Sequence, residues 1–144
     1  MKVDRIRLAR YLSEITKSSN ELKELIEKNS LEQDSIELKA AKYLLIELAE
    51  GISNVLQHIL AKERGTPVSG YIDTIVKGNK AGIISKDLFD RLKPFMDFRN
   101  SLVHRYWIIN DTKLIQNILH AYEDFINFVD EIERYLDRSD LNNS

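Results

Sequence analysis

Residues 88–106 read Leu88-Phe89-Asp90-Arg91-Leu92-Lys93-Pro94-Phe95-Met96-Asp97-Phe98-Arg99-Asn100-Ser101-Leu102-Val103-His104-Arg105-Tyr106. Steps of four and three through this stretch collect Leu88, Leu92, Phe95, Arg99, Leu102 and Tyr106. A competing seam collects Phe89, Leu92, Met96, Arg99, Val103 and Tyr106. Either is the apolar stripe of a core-facing helix, and either carries a guanidinium where a hydrophobe belongs. Arginine is rarely buried alone, so Arg99 must be paired or face a cleft that takes a ligand. Pro94 lacks an amide donor and crowds the preceding turn, which predicts a kink or a break in this helix.

Outward from this stretch the same periodicity recurs. Leu8, Leu12, Ile15, Ser19, Leu22 and Ile26 predict a helix over about residues 3–28. Leu38, Ala41, Leu45, Leu48, Ile52, Val55 and Ile59 predict a second, and Ile115, Ile118, Tyr122, Phe125, Val129, Ile132 and Leu136 a last one. Ser30 with Gln33 resembles a capping box for the second helix, and Gly65 and Pro67 stop it. Residues 69–76 have room for a short helix closed by Gly78 and Gly82, Ser85 can cap the helix of residues 88–106, and Asn110 or Asp111 the last helix. No stretch alternates with period two. The expectation is an all-α fold, an up-and-down four-helix bundle with an additional short helix.

A length of 144 residues suits one domain, 1–144, with a polar tail at 139–144 expected to fray. Cysteine is absent, which removes disulfides, thiolate metal sites and a cysteine nucleophile. There is no uninterrupted apolar run of about 18 residues and no signal-peptide core after Met1, so a cytoplasmic protein without a membrane partner is expected. The net charge of −2 argues against a protein that coats nucleic acid. Residues 77–105 nevertheless hold seven basic and three acidic side chains, a local +4, against −6 for the remainder. That distribution fits either a small phosphate site or a solvated helix face.

Within the 88–106 stretch, Asn100 and His104 share one helical face, and Arg99 and Tyr106 another. Arg99 and His104 stand about 140° apart in azimuth on an ideal helix. They converge only if the helix bends, if Arg99 reaches around, or if a second chain supplies one of them. Chemically the trio suits RNA cleavage without a metal or cofactor. An imidazole near neutrality can take the 2′-hydroxyl proton or protonate the leaving oxygen. A guanidinium can fork onto phosphate oxygens as charge accumulates, while Asn100 orients either group.

The string Phe98-Arg99-Asn100-Ser101-Leu102-Val103-His104-Arg105-Tyr106 resembles the R-x4-H-x-Y motif of the HepT-type toxins, helical ribonucleases of the HEPN superfamily. Residues 40–65, Tyr71, Gly82-Ile83-Ile84 and residues 92–98 resemble the run-up to that motif. The resemblance implies a homodimeric, metal-independent endoribonuclease with two motif helices facing across a cleft. Arg99, Asn100 and His104 would be catalytic. It also implies an MntA-type nucleotidyltransferase antitoxin that silences the toxin by adenylylating Tyr106. A different reading makes the chain a non-catalytic, nucleotide- or substrate-binding companion of a nucleotidyltransferase.

The other polar candidates read as structural. His58 borders the second helix's seam, His120 lies off the last one, and no histidine pairs at i, i+4 to make a metal site. Glu47 and Glu50 read as solvated, and Trp107 as an interface or core anchor.

Overall fold

The computed structural model describes residues 3–28, 31–104 and 110–143, the last three by backbone alone. Among them every regular element is an α-helix: α1 Arg5–Glu27, α2 Ile36–Arg64, α3 Gly70–Lys80, α4 Lys86–His104, α5 Asp111–Ala121 and α6 Glu123–Asn143. Four long helices close a ring in which α1 packs on α2 and α6, and α4 packs on the same two. Their ends define the directions. The start of α1 meets the late part of α2 through Asp4 and His58, and the end of α6 through Arg5 and Leu136. The start of α4 meets α6 through Ser85 and Glu131, and the ends of α2 and α6 meet through Glu63 and Ser139. Neighbours around the ring therefore alternate in direction, as an up-and-down bundle requires. The short α3 lies across α2 and α4.

The predicted seams form the core. Leu8, Ile15, Leu22, Leu38, Leu48, Ile52, Ile59, Phe125, Phe128 and Ile132 belong to one connected buried cluster. By length and composition α2 could cross a membrane, but 67% of its most apolar window is buried inside the bundle. It is the central helix of a core.

Several local expectations are corrected. The side chain of Ser35, rather than Ser30, caps α2 by accepting from the Leu38 amide at 3.0 Å; Ser30 itself lies outside the described residues. Ser35 sits directly before the first helical residue, where a hydroxyl reaches the free amides of the first turn. Gly78 does not close α3, which runs on to Lys80. A Cβ there would stand 3.0 Å from a methyl of Leu56, so Gly78 is a packing glycine, and Gly82 at φ +76° makes the turn. Pro94 neither breaks nor ends α4. Both Pro94 and Asp90, whose carbonyl loses its amide partner, are exposed, so water can take the place of the missing donor. The last predicted helix is two segments joined at Tyr122, whose φ −61° and ψ −28° keep it nearly continuous. Residues 139 and 140 lie within α6, where Ser139 donates to Glu63 at 2.8 Å and Asp140 pairs with Arg5. Ser85, Asn110 and Gly65 behave as expected: Ser85 accepts from the Leu88 amide, Asn110 from that of Lys113, and Gly65 ends α2 at φ +59°.

The α1–α2 contact depends on Gly51, where an added Cβ would lie 2.7 Å from Ile15 Cγ1. Ile15 is buried and branched at Cβ, which restricts its χ1, so it cannot easily swing away. Gly51→Val should lower Tm by about 3–10 °C in a thermal melt, the consequence of about 1–3 kcal/mol of overpacking. An unchanged melt would show that the two helices have slack there.

His58 has a structural task. Its Nε2 accepts the Asp4 amide at 2.8 Å, holding the start of α1 against α2. Burial, followed by the positive charges of Arg7 and Lys62, pushes its pKa below the ordinary 6.5, with Asp4 opposing. A depressed histidine is neutral in the fold, so its contribution to stability is complete above about pH 6.5 and is lost as pH falls through the folded value. Tm should therefore drop between pH 7 and 5, and His58→Gln should flatten that part of the profile. Parallel curves for the two proteins would remove His58 as the cause.

Candidate active site

Helix α4 presents three faces. Leu88, Leu92, Met96 and Leu102 are buried, a blend of the two predicted seams. Phe95 is half-buried and meets Phe125 of α6 edge to face, with ring centroids 4.9 Å apart. Asp97, Asn100 and His104 lie on the solvent face. Four of the segment's seven basic side chains are paired within their own helices. Lys86, Arg91 and Lys93 pair with Asp90, Asp87 and Asp97 one turn along α4, and Lys77 with Asp73 on α3. Such exposed pairs contribute little stability, and because the three on α4 use acids already counted, the segment stays net basic.

Arg99 is the exception in burial. Its side chain is only 16% exposed and turns into the bundle. Its guanidinium carbon stands 4.1 Å from the centre of the Tyr71 ring of α3. One terminal nitrogen donates to Asn100 Oδ1 at 3.2 Å, and the other lies 3.8 Å from a carboxylate oxygen of Glu50 on α2. The Nε is buried with no acceptor. Five donors in a rigid fork thus meet one hydrogen bond, one long ion contact and one aromatic face. A buried donor without an acceptor costs stability, which makes Arg99 a candidate for an anionic ligand.

Glu50 and Tyr71 are the residues that sequence reasoning missed at this site. Glu50 is not simply solvated, because α2 brings it to Arg99 from 49 positions away in the chain. Beyond it, Glu47 lies in a groove between α1 and α2 shared with Glu14, Glu21 and Glu50. Burial first, then the charges of Glu21 and Glu14, raise the Glu47 carboxyl above its ordinary value. With four glutamates and one lysine, Lys17, along it, that groove disfavours an anion.

Arg99 and Asn100 are brought together, and His104 is not joined to them. It is exposed in the last turn of α4, with no hydrogen bond or ion pair among the described residues. Tyr106 and Trp107 lie outside the described residues. His120 is exposed on α5, as expected.

A helical bundle with an arginine inside its seam and a histidine on the same helix is the frame that the motif calls for. The sequence matches the family described as ribonuclease HepT-like over residues 10–132, and the chain belongs to that family. Among solved structures it is similar to a HEPN toxin of Shewanella oneidensis, solved tri-AMPylated and in complex with MNT antitoxin. That pair shares 21% identity over 88% of this chain and 96% of the other, with a TM-score of 0.80. It is also similar to a chain of a toxin–antitoxin complex solved with AMP-PNP, with 20% identity, 88% and 97% coverage and a TM-score of 0.79. A third likeness is YutE of Bacillus subtilis, a cytosolic protein of unknown function, with 19% identity, 95% and 93% coverage and a TM-score of 0.81. No curated protein sequence matches the chain.

Proposed function

We propose that this protein is the ribonuclease toxin of a toxin–antitoxin pair, a cytoplasmic, metal-independent endoribonuclease that acts as a homodimer. One observation carries the reading: the seam guanidinium of Arg99 is sheltered in the bundle with its Nε lacking an acceptor, five residues before an exposed imidazole on the same helix. Shelter strengthens its pull on a phosphate, because neighbouring water no longer screens the charge. The exposed His104 is free to move a proton between the 2′-hydroxyl and the leaving 5′-oxygen. Asn100 holds the guanidinium from the solvent side.

The azimuthal gap of about 140° between Arg99 and His104 supports a dimer in which the two chains complete each other's sites. The outer face of α4 favours the same arrangement, since Val103 is 40% exposed beside His104. A second copy of α4 laid across that face would cover Val103 and bring one chain's imidazole toward the other's guanidinium.

The antitoxin would be an MntA-type nucleotidyltransferase that adenylylates Tyr106. The added phosphate is a partner for a guanidinium, and the added nucleoside fills space that RNA needs. Single-stranded RNA incubated with the purified protein in EDTA should be cut. Co-expression with an MntA-type nucleotidyltransferase antitoxin should raise the intact mass by one or more AMP units, and Tyr106→Phe should abolish that rise. Absence of cleavage from the unmodified wild type, together with retained binding to the nucleotidyltransferase, would favour the non-catalytic companion instead. A mass rise that persists in Tyr106→Phe would move the modification to another residue.

A further inference from the structure

Between α4 and α5 lies a cleft of about 600 Å³, a volume in the range of small-ligand sites. Helix α4 supplies Phe95, Phe98 and Ser101 to it, and α5 supplies Lys113 and Asn117. The position of α5 is fixed independently of the cleft. Lys42 of α2 pairs with Asp111 at 3.0 Å, the Asp34 amide donates to the same carboxylate at 3.1 Å, and Gln33 bonds Thr112. The Asp34 amide, with Lys42 behind it, holds the Asp111 carboxyl below its ordinary value. The first turn of α5 is therefore anchored to α2 and the turn before it.

The chemistry of its walls is selective. None of the described residues lining it is acidic, although the chain is net negative. Arg91 is already matched by Asp87 and Asp124, whereas the Lys113 side chain has no ion pair and the Asn117 amide no hydrogen bond among the described residues. Apolar aromatic side chains, an open amide and an ammonium are the parts that hold a nucleobase and its phosphate. Ser101, at the end of the cleft nearest the motif, precedes His104 by three residues. On a helix that is about 4.5 Å along the axis and about 60° in azimuth, so the cleft adjoins the imidazole's side of α4.

We propose that the α4–α5 cleft is a nucleobase subsite for the RNA substrate. A base flanking the scissile phosphate lies against Phe98, Asn117 reads its edge, and Lys113 takes the adjoining phosphate. The inference rests on the ribonuclease reading above and adds to it where the strand is gripped.

The test uses the full-length protein and a fluorescent 2′-O-methyl oligoribonucleotide, which cannot be cut, beside an abasic strand of the same length. Anisotropy titrations should show Phe98→Ala weakening the base-bearing strand by about 5- to 150-fold while leaving the abasic strand unchanged. That difference separates a stacking role from a general loss of structure. Asn117→Leu, on the exposed side of α5, should weaken the base-bearing strand selectively without endangering the fold. Lys113→Ala should weaken both strands and reduce the salt dependence by about one phosphate contact. Wild-type binding with equal losses for both strands in Phe98→Ala and Asn117→Leu, or no loss in either, would overturn the subsite alone. Wild type that neither binds nor cuts RNA would overturn the ribonuclease reading and the subsite with it.

Discussion

Replacing His104 by alanine is expected to slow RNA cleavage by about 10²–10⁴-fold, the usual contribution of a positioned acid–base group. The fold should be untouched, because His104 is exposed and makes no bond among the described residues. Equal melting curves for His104→Ala and wild type would therefore accompany the lost activity. The same variant tests how the site is assembled. If imidazole and guanidinium act across two chains, mixing His104→Ala with Arg99→Ala should restore part of the activity, since half of the sites in a heterodimer keep both groups. Cleavage by His104→Ala at the wild-type rate would end the catalytic assignment.

Arg99→Met should produce the opposite pairing of effects from an ordinary core mutation. Cleavage should fall by about 10²–10³-fold, as when one oriented charge donor is removed from a reaction centre. Stability should change by no more than about 1 kcal/mol in a denaturant melt. The terms that Arg99 gives up are small. Glu50 is half exposed and stands at 3.8 Å, so water and salt weaken that pair. The contact with the Tyr71 ring at 4.1 Å is favourable, but a thioether also packs well on an aromatic ring. Against these losses stands the removal of the buried Nε that has no acceptor. Arg99→Lys should recover little activity, because a point charge lacks the planar fork that grips two phosphate oxygens. A large fall in stability with cleavage intact would make Arg99 a structural residue and remove it from the site.

The two variants separate chemistry from architecture in a way that Gly51→Val and His58→Gln do not. Those act on the α1–α2 contact and should change melting more than the cleavage rate per folded molecule.

The helical seams were legible because burial repeats with the period of the local backbone. Leu38 to Ile59 on α2 and Phe125 to Leu136 on α6 could be assigned to a core from spacing alone. The caps at Ser85, Asn110 and Gly65 were legible for the same reason, since a cap is satisfied within a few residues of itself. So was the anomaly at Arg99, a charge inside a stripe. Other features depended on where distant helices fall. Glu50 and Tyr71 sit on α2 and α3 at positions that no periodicity connects to Arg99, and only the packing of those helices on α4 makes them its partners. Continuity through Pro94 depended on which way its turn faces, and the packing role of Gly78 on the nearness of Leu56. Sequence by itself determined the helices, their inward faces and the motif, because these follow from bonds and burial along one segment. Tertiary structure alone decided what the guanidinium touches and that a cleft opens beside the motif, because helix rotation and distance are set by side chains from several segments at once.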